Sequence, residues 1–188
     1  GVIVSNNKSL IELSSEDIKK ARTDLLERIQ NDTERSCKGC RYINEVDEKP
    51  KISADTNFIS IEHHSFCNLR CNYCSEIYYG GKKPSYKVIN LLQKLGKEKY
   101  LRNCDQVVWG GGEPTLEKEF ENLVLDINNT ASPKIYHRIF TNSVRYSKPI
   151  QKFLDQNLIK IVTSIDAGTP ETYKLVRGKD KFNDVFEN

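Results

Sequence analysis

No apolar run in the sequence approaches the roughly 18 residues that a membrane-spanning helix needs. The N-terminal stretch also lacks the charged, apolar and small-residue succession of a secretory signal. Neither helical membrane insertion nor export is therefore expected. A basic stripe is missing too: 29 Lys and Arg are scattered among 26 Asp and Glu, for a net charge of +3. That pattern argues against a nucleic-acid binder and reads as a solvated surface. No internal repeat or low-complexity segment is evident, which excludes a solenoid. Methionine is absent altogether although Leu, Ile and Val are ordinary, and any methionine missing from the sequence would leave spacings across it short by one. What remains is 188 residues, 37% hydrophobic and 29% charged, the composition of one globular core.

Cysteine is well represented, at positions 37, 40, 67, 71, 74 and 104. In a secreted mini-protein an even count suggests disulfides. In a chain this long without a signal, clustered cysteines point to metal and to a reducing, cytoplasmic compartment. Three thiols fall in the run Cys67-Asn68-Leu69-Arg70-Cys71-Asn72-Tyr73-Cys74, directly after a strand-like segment. Thiolate is the soft ligand that iron–sulfur clusters and zinc select. One such loop can wrap a cubane, as in cluster proteins that take most ligands from a short run. Zinc would want a fourth protein ligand, which His63 or His64 could supply as a Cys3His site. Cys37 and Cys40 form a C-x2-C loop that offers half of a second zinc or auxiliary cluster site, a redox dithiol, or two free structural cysteines. The redox reading wants a preceding strand, whereas the sequence before Cys37 looks helical.

Ser14 and Asp17 are placed like a capping box, and Ile18, Ala21, Leu25 and Ile29 continue at helical spacing to about Gln30. Residues 45–57 are polar, contain Pro50 and read as a linker, which divides the chain into a helical extension over 1–56 and a main domain over 57–188. From Phe58 strands and helices alternate. Strands are expected at Phe58–His63, Gln106–Trp109, Lys134–Thr141 and Ile159–Ile165, the last a β-branched run suited to burial on both faces. Between them lie a helix capped by Ser85 with Val88, Leu91, Leu92 and Leu95 on one face, a helix with Leu116, Phe120, Leu123 and Ile127, and a helix opened by Ser147 and Pro149. Thr169-Pro170 starts another, and Phe182, Val185 and Phe186 one more. Such alternation implies a parallel sheet with helices outside, and in these folds chemistry collects at the C-terminal strand ends. The noteworthy residues lie there: the cysteine loop, Gly110-Gly111-Gly112-Glu113-Pro114, Asn142, and Asp166. Cys104 precedes its strand at the opposite end and reads as a small buried hydrophobe.

The C-x3-C-x2-C loop, with an aromatic before its last cysteine, and the Gly-Gly-Glu-Pro run two strand ends away together resemble the radical S-adenosylmethionine (SAM) superfamily, from about Asn57 to Asn188. The resemblance implies a partial TIM-like (β/α)6 barrel. It implies a [4Fe–4S] cluster held by Cys67, Cys71 and Cys74, with SAM on the fourth iron. One electron then cleaves SAM to a 5′-deoxyadenosyl radical that abstracts hydrogen from substrate. By the same carry-over Gly111, Gly112, Glu113 and Pro114 meet the SAM amino group, and Tyr73 lies by the adenine. Ser164 and Asp166 reach the ribose or the carboxylate, Arg177 the methionyl carboxylate, and Asn142 faces SAM or substrate. Each of these polar residues also has a plain reading as a strand-end group that satisfies backbone.

The same resemblance implies a flavodoxin- or ferredoxin-like electron donor. The tail from Ser164 to Gly178 looks most like members with an additional cysteine-rich (SPASM/twitch-like) region, which favours a peptide, sugar or sugar-lipid precursor as substrate. A glycyl-radical activase or nucleoside-pathway enzyme is the alternative, and a non-catalytic iron–sulfur or zinc module the alternative of another class. Four βα units do not close a barrel, so further strands and the missing ligands of Cys37 and Cys40 are expected beyond Asn188.

Overall fold

The computed structural model describes residues 14–31, 33, 37–41, 43, 48, 51–62, 64–83, 87–130 and 135–188. His63, Ser85, Pro50 and Lys134, all used above, lie outside them. The chain forms two compact units, 1–55 and 56–188.

In the first unit, helix α1 spans Ser15–Gln30. Its start is the expected capping box: Asp17 N–H donates to Ser14 Oγ at 3.2 Å, and Ser14 N–H donates to the Asp17 carboxylate at 3.0 Å. No α1 residue is fully buried, but Arg22 ties the helix to the segment after it, donating to the carbonyls of Ser53 (2.5 Å) and Asp55 (2.9 Å). Cys37 and Cys40 sit on one tight turn, closed by Cys40 N–H to Cys37 O at 3.1 Å. Both thiols are free, and the described residues bring no third metal ligand to them.

The second unit is a four-stranded parallel sheet of β1 (Phe58–Ile61), β2 (Gln106–Trp109), β3 (Tyr136–Thr141) and β4 (Ile159–Thr163), in that spatial order. Each crossover carries a helix: α3 (Val88–Lys97) after the short α2 (Glu76–Tyr79), α4 (Phe120–Thr130), and α5 (Lys148–Asp155). After β4 come α6 (Pro170–Arg177), capped by Thr169, and α7 (Phe182–Glu187). This is the parallel α/β arrangement of a partial TIM-like barrel. Strand side chains alternate between faces. Val107, Trp109, Ile139 and Ile159 point to the helices, where they pack with Val88, Leu92, Phe120, Leu123, Ile127, Ile150 and Phe153. Each such side chain contributes about 1.5–3 kcal/mol by leaving water. Ser60, Val108, Arg138 and Lys160 are in register and share the opposite face. Cys104 is fully buried in the core at the N-terminal side of β2.

β4 departs from the expected burial on both faces. Ile159 is its one buried residue, while Lys160 and Thr163 are exposed. In this sheet β4 is an edge strand paired to β3 alone, and a β-branched run fits that position as well as a central one.

A buried polar chain crosses the core. Trp109 Nε1–H donates to His137 Nδ1 at 3.0 Å, so the ring proton resides on Nε2, which donates to Asn128 Oδ1 at 3.0 Å. His137 is fully buried, and burial lowers its pKa from 6.5 to about 4. The folded state therefore resists a proton that the unfolded chain accepts. This contribution is complete above pH 6.5 and is lost as pH falls toward 4. Stability should drop by about 1.4 kcal/mol per pH unit through that window. Urea unfolding at pH 7 and pH 5 checks this: His137→Leu should flatten the slope, and an unchanged slope would refute the assignment.

Candidate active site at the strand ends

The cysteine loop leaves the end of β1 and is pinned by backbone at both flanks. Ser65 pairs with the returning chain through Gly81 N–H to Ser65 O (2.9 Å) and Ser65 N–H to Lys82 O (3.1 Å). Arg70 N–H donates to Arg177 O at 3.1 Å and Asn72 N–H to Val176 O at 2.9 Å, so the loop rests on the C-terminal end of α6. Gly178 makes this approach feasible. Its φ is +75°, and a Cβ there would stand 2.2 Å from the Arg70 carbonyl oxygen. Gly178→Ala should cost about 1–2 kcal/mol from the left-handed φ alone, and more from the clash. Gly168→Ala, where a Cβ meets nothing within 4 Å, should stay within about 0.5 kcal/mol. Denaturant midpoints compare the two, and equal losses would contradict the pinning.

Cys67, Cys71 and Cys74 are all half-buried. Burial pushes the Cys67 and Cys74 thiols up, their neighbouring thiols adding to it. Among the described residues no three His, Cys, Asp or Glu stand close enough to hold a single metal ion. A tetrahedral zinc with bonds of about 2.3 Å draws its sulfurs to within about 4 Å of one another. His64 turns its Nδ1 to the Phe66 N–H at 3.2 Å. Three half-buried soft donors on one loop are the kind of set that a cubane takes.

The glycine run lies against the chain that enters the cysteine loop. Gly110, Gly112 and Glu113 donate their N–H groups to Ile61 (3.1 Å), His64 (3.1 Å) and Phe66 (2.6 Å). These donors are thus committed to prolonging the β1–β2 pairing. A Cβ on Gly112 would stand 2.3 Å from Phe66 O, and Gly111 has φ +88°, so close approach of two backbones is what the glycines serve here. Glu113 is 2% exposed. Its Oε1 accepts from Thr115 N–H (3.1 Å), Thr115 Oγ1 (2.8 Å) and Thr141 Oγ1 (2.7 Å), and its Oε2 from Asn142 N–H (2.7 Å). Pro114 is buried at the start of a single 3-10 turn, Pro114–Leu116.

Asn142 is not at an open rim. It is 7% exposed, and its Nδ2 donates to Asn68 Oδ1 at 2.7 Å and toward Cys67 Sγ at 3.8 Å. On the far side of the loop, Tyr73 Oη donates to Asp166 Oδ2 at 2.6 Å, and Arg177 Nη1 reaches both that oxygen (2.8 Å) and the tyrosine hydroxyl. Desolvation, followed by the Asp166 carboxylate, holds the Tyr73 phenol well above its usual range. Asp166 adopts φ +59°. Ser164 is exposed at the end of β4 and stands outside this triad. A cavity of about 190 Å³ adjoins the glycine run, lined by Glu62, His64, Tyr78, Lys82 and Gly111 among others. Thr115, Thr141 and Asn68 were missed by sequence reasoning. Each sits within two residues of a motif residue, the one signal that could have flagged them.

Sheet, cysteine loop and glycine run define a radical SAM core, and residues 61–188 match the model of the radical SAM superfamily. The chain belongs to that superfamily, whose cofactors are a [4Fe–4S] cluster and SAM. Among curated proteins it is similar to GTP 3′,8-cyclases: that of Pasteurella multocida (strain Pm70) is 32% identical over 122 residues, 64% of this chain and 36% of that one. That of Haemophilus influenzae (strain PittGG) is 28% identical over the same shares. The chain thus spans about a third of the length of these relatives. Among solved structures it resembles native anSMEcpe with bound AdoMet, at 26% identity and TM-score 0.54, covering 69% of this chain and 38% of that one. Streptococcus suis SuiB bound to precursor peptide SuiA shares the fold at 14% identity and TM-score 0.53, covering 86% of this chain and 41% of that one. Among the described residues no helix is long and apolar enough to cross a membrane.

Proposed function

We propose that this chain is the SAM-cleaving core of an enzyme that removes a hydrogen atom from a peptide substrate. The observation that carries the reading is the convergence of three soft donors, a buried carboxylate and the Asp166–Arg177 pair on one end of a parallel sheet. Cys67, Cys71 and Cys74 would hold the [4Fe–4S] cluster. Bound there with SAM, it supplies one-electron cleavage and a 5′-deoxyadenosyl radical. Glu113 would accept from the SAM ammonium on Oε2, which has a single protein donor. Arg177, with a side chain 6% exposed, would hold the methionyl carboxylate in competition with Asp166, while Asp166 and Ser164 reach the ribose. Tyr73, placed between loop and α6, would flank the adenine. The cavity beside Gly111 leaves room for ligand atoms at the site. A flavodoxin- or ferredoxin-like protein would deliver the electron. The peptide class is supported by likeness to anSMEcpe with bound AdoMet and Cp18Cys peptide, at 27% identity and TM-score 0.54.

A nucleotide substrate is the second reading, favoured by the GTP 3′,8-cyclase relatives. Cys37 and Cys40 would serve an auxiliary cluster or zinc only with ligands from outside the described residues. The test is anaerobic reconstitution with iron and sulfide, then dithionite reduction with SAM. Formation of 5′-deoxyadenosine supports the core reading, and its absence from iron-replete protein refutes it. Deuterium transfer into SAM-derived product from labelled peptide, rather than from labelled GTP, separates the two substrates.

A further inference from the structure

We infer that Asn142 sets the reduction potential of the cluster, by donating its side-chain N–H to the Cys67 sulfur. The inference rests on the proposed role of Cys67 as an iron ligand. Three contacts fix the Asn142 side chain. Val144 N–H donates to its Oδ1 at 3.1 Å, which requires the carbonyl end of the amide to face Val144. The amide nitrogen therefore faces the cysteine loop, 2.7 Å from Asn68 Oδ1 and 3.8 Å from Cys67 Sγ. Its two hydrogens serve two acceptors, one of them sulfur. Leu69 N–H also points to Cys67 Sγ, at 3.4 Å.

The backbone of Asn142 is fixed as well. Its N–H donates to Glu113 Oε2 at 2.7 Å, and Thr141 Oγ1 holds Glu113 Oε1 at 2.7 Å. The next residue, Ser143, takes φ +55° with its N–H on Thr141 Oγ1 at 3.1 Å, which turns the chain back on itself. Asn142 is thereby a buried bridge with its backbone on the carboxylate of the Gly-Gly-Glu-Pro run and its side chain on a thiol of the cysteine loop. A residue that only satisfied backbone would need neither contact.

The consequence is electrostatic. One-electron reduction of the cluster by a low-potential donor leaves one more negative charge to be shared among the sulfurs. An N–H dipole aimed at Cys67 Sγ favours that reduced state, and hydrogen bonds to cluster sulfurs are among the terms that set the potential. Asn142 is buried, so water screens this interaction poorly. It acts through Cys67 and is a positioning residue, not a catalytic one.

The test uses the reconstituted chain, Asn142→Ala and Asn142→Ser, with iron counted first and the potential then read by EPR-monitored titration without SAM. Loss of a charge-assisted contact should shift the reduction equilibrium on the order of tenfold toward the oxidised form. For a one-electron couple that is about 59 mV more negative. Asn142→Ser adds no charge, keeps an acceptor for Val144 and the backbone bond to Glu113, and is too short to reach Cys67, so it decides the matter if Asn142→Ala does not fold. An unchanged potential in an iron-replete variant overturns the inference and leaves the cluster reading standing. A wild-type chain that takes up no iron overturns both. A third measurement compares isotope effects: the D2O shift of the iron–thiolate stretching bands should shrink in Asn142→Ser, and an equal shift in both proteins, carried by Leu69 N–H alone, overturns the inference.

Discussion

Cys71→Ala is expected to abolish iron uptake, and Cys67→Ala and Cys74→Ala likewise, whereas Cys104→Ala should keep the wild-type iron content. The three loop thiols would act as a set, because a cubane with an open fourth iron has no spare protein ligand to replace one of them. Cys104 lies in the core among Leu101, Val107 and Phe120, fully buried, with its S–H directed to the Gln106 carbonyl at 3.5 Å. It precedes β2, while the loop follows β1. In a parallel sheet those are opposite ends. Removing its sulfur should instead cost stability, about 1 kcal/mol for a small cavity. Iron and sulfide quantification after anaerobic reconstitution, with urea unfolding of each variant, reads both effects. Equal iron loss in Cys104→Ala and Cys71→Ala would mean that the sheet places these thiols wrongly.

Glu113→Ala is expected to act twice. The carboxylate accepts from four protein donors at 2.7–3.1 Å while 2% exposed. Its removal leaves the Thr115 and Asn142 N–H groups buried without acceptors, at a cost of roughly 3 kcal/mol in folding stability. SAM affinity should also fall by about tenfold or more, the value of a charge-assisted hydrogen bond to an ammonium group. The two effects separate by measurement. Unfolding without SAM reads the first, and titration of SAM against the cluster's EPR signal in iron-replete variant reads the second. A stability loss with unchanged SAM affinity would make Glu113 a framework residue only.

The site is built so that the residues proposed for recognition also hold the backbone. Glu113 fixes Asn142, Arg177 caps the loop through its carbonyl, and the glycines join β1 to β2. A substitution at any of them therefore perturbs geometry as well as contacts. Variants are informative only when iron content and stability are measured beside activity.

The sequence by itself determined the strands and the longer helices and their order, but not the short α2 or the separate 3-10 turn that holds Leu116. The capping box at Ser14 and Asp17, the stripe from Val88 to Leu95, and the β-branched segments are local signals, decided by residues three or four apart or alternating. It also put three thiols within eight residues of one loop, the basis for expecting them to share one cluster. The burial of β4 was not legible, since a β-branched run looks the same at an edge as in the centre of a sheet. Nor were the partners of the polar residues. Tyr73 and Arg177 are 104 positions apart, and Asn142 and Cys67 are 75 apart. Only the stacking of strand ends brings those pairs within hydrogen-bond reach. The use of the glycine N–H groups was hidden for the same reason. A backbone donor is identical in every residue except proline, so what it bonds to is decided by the chain packed against it.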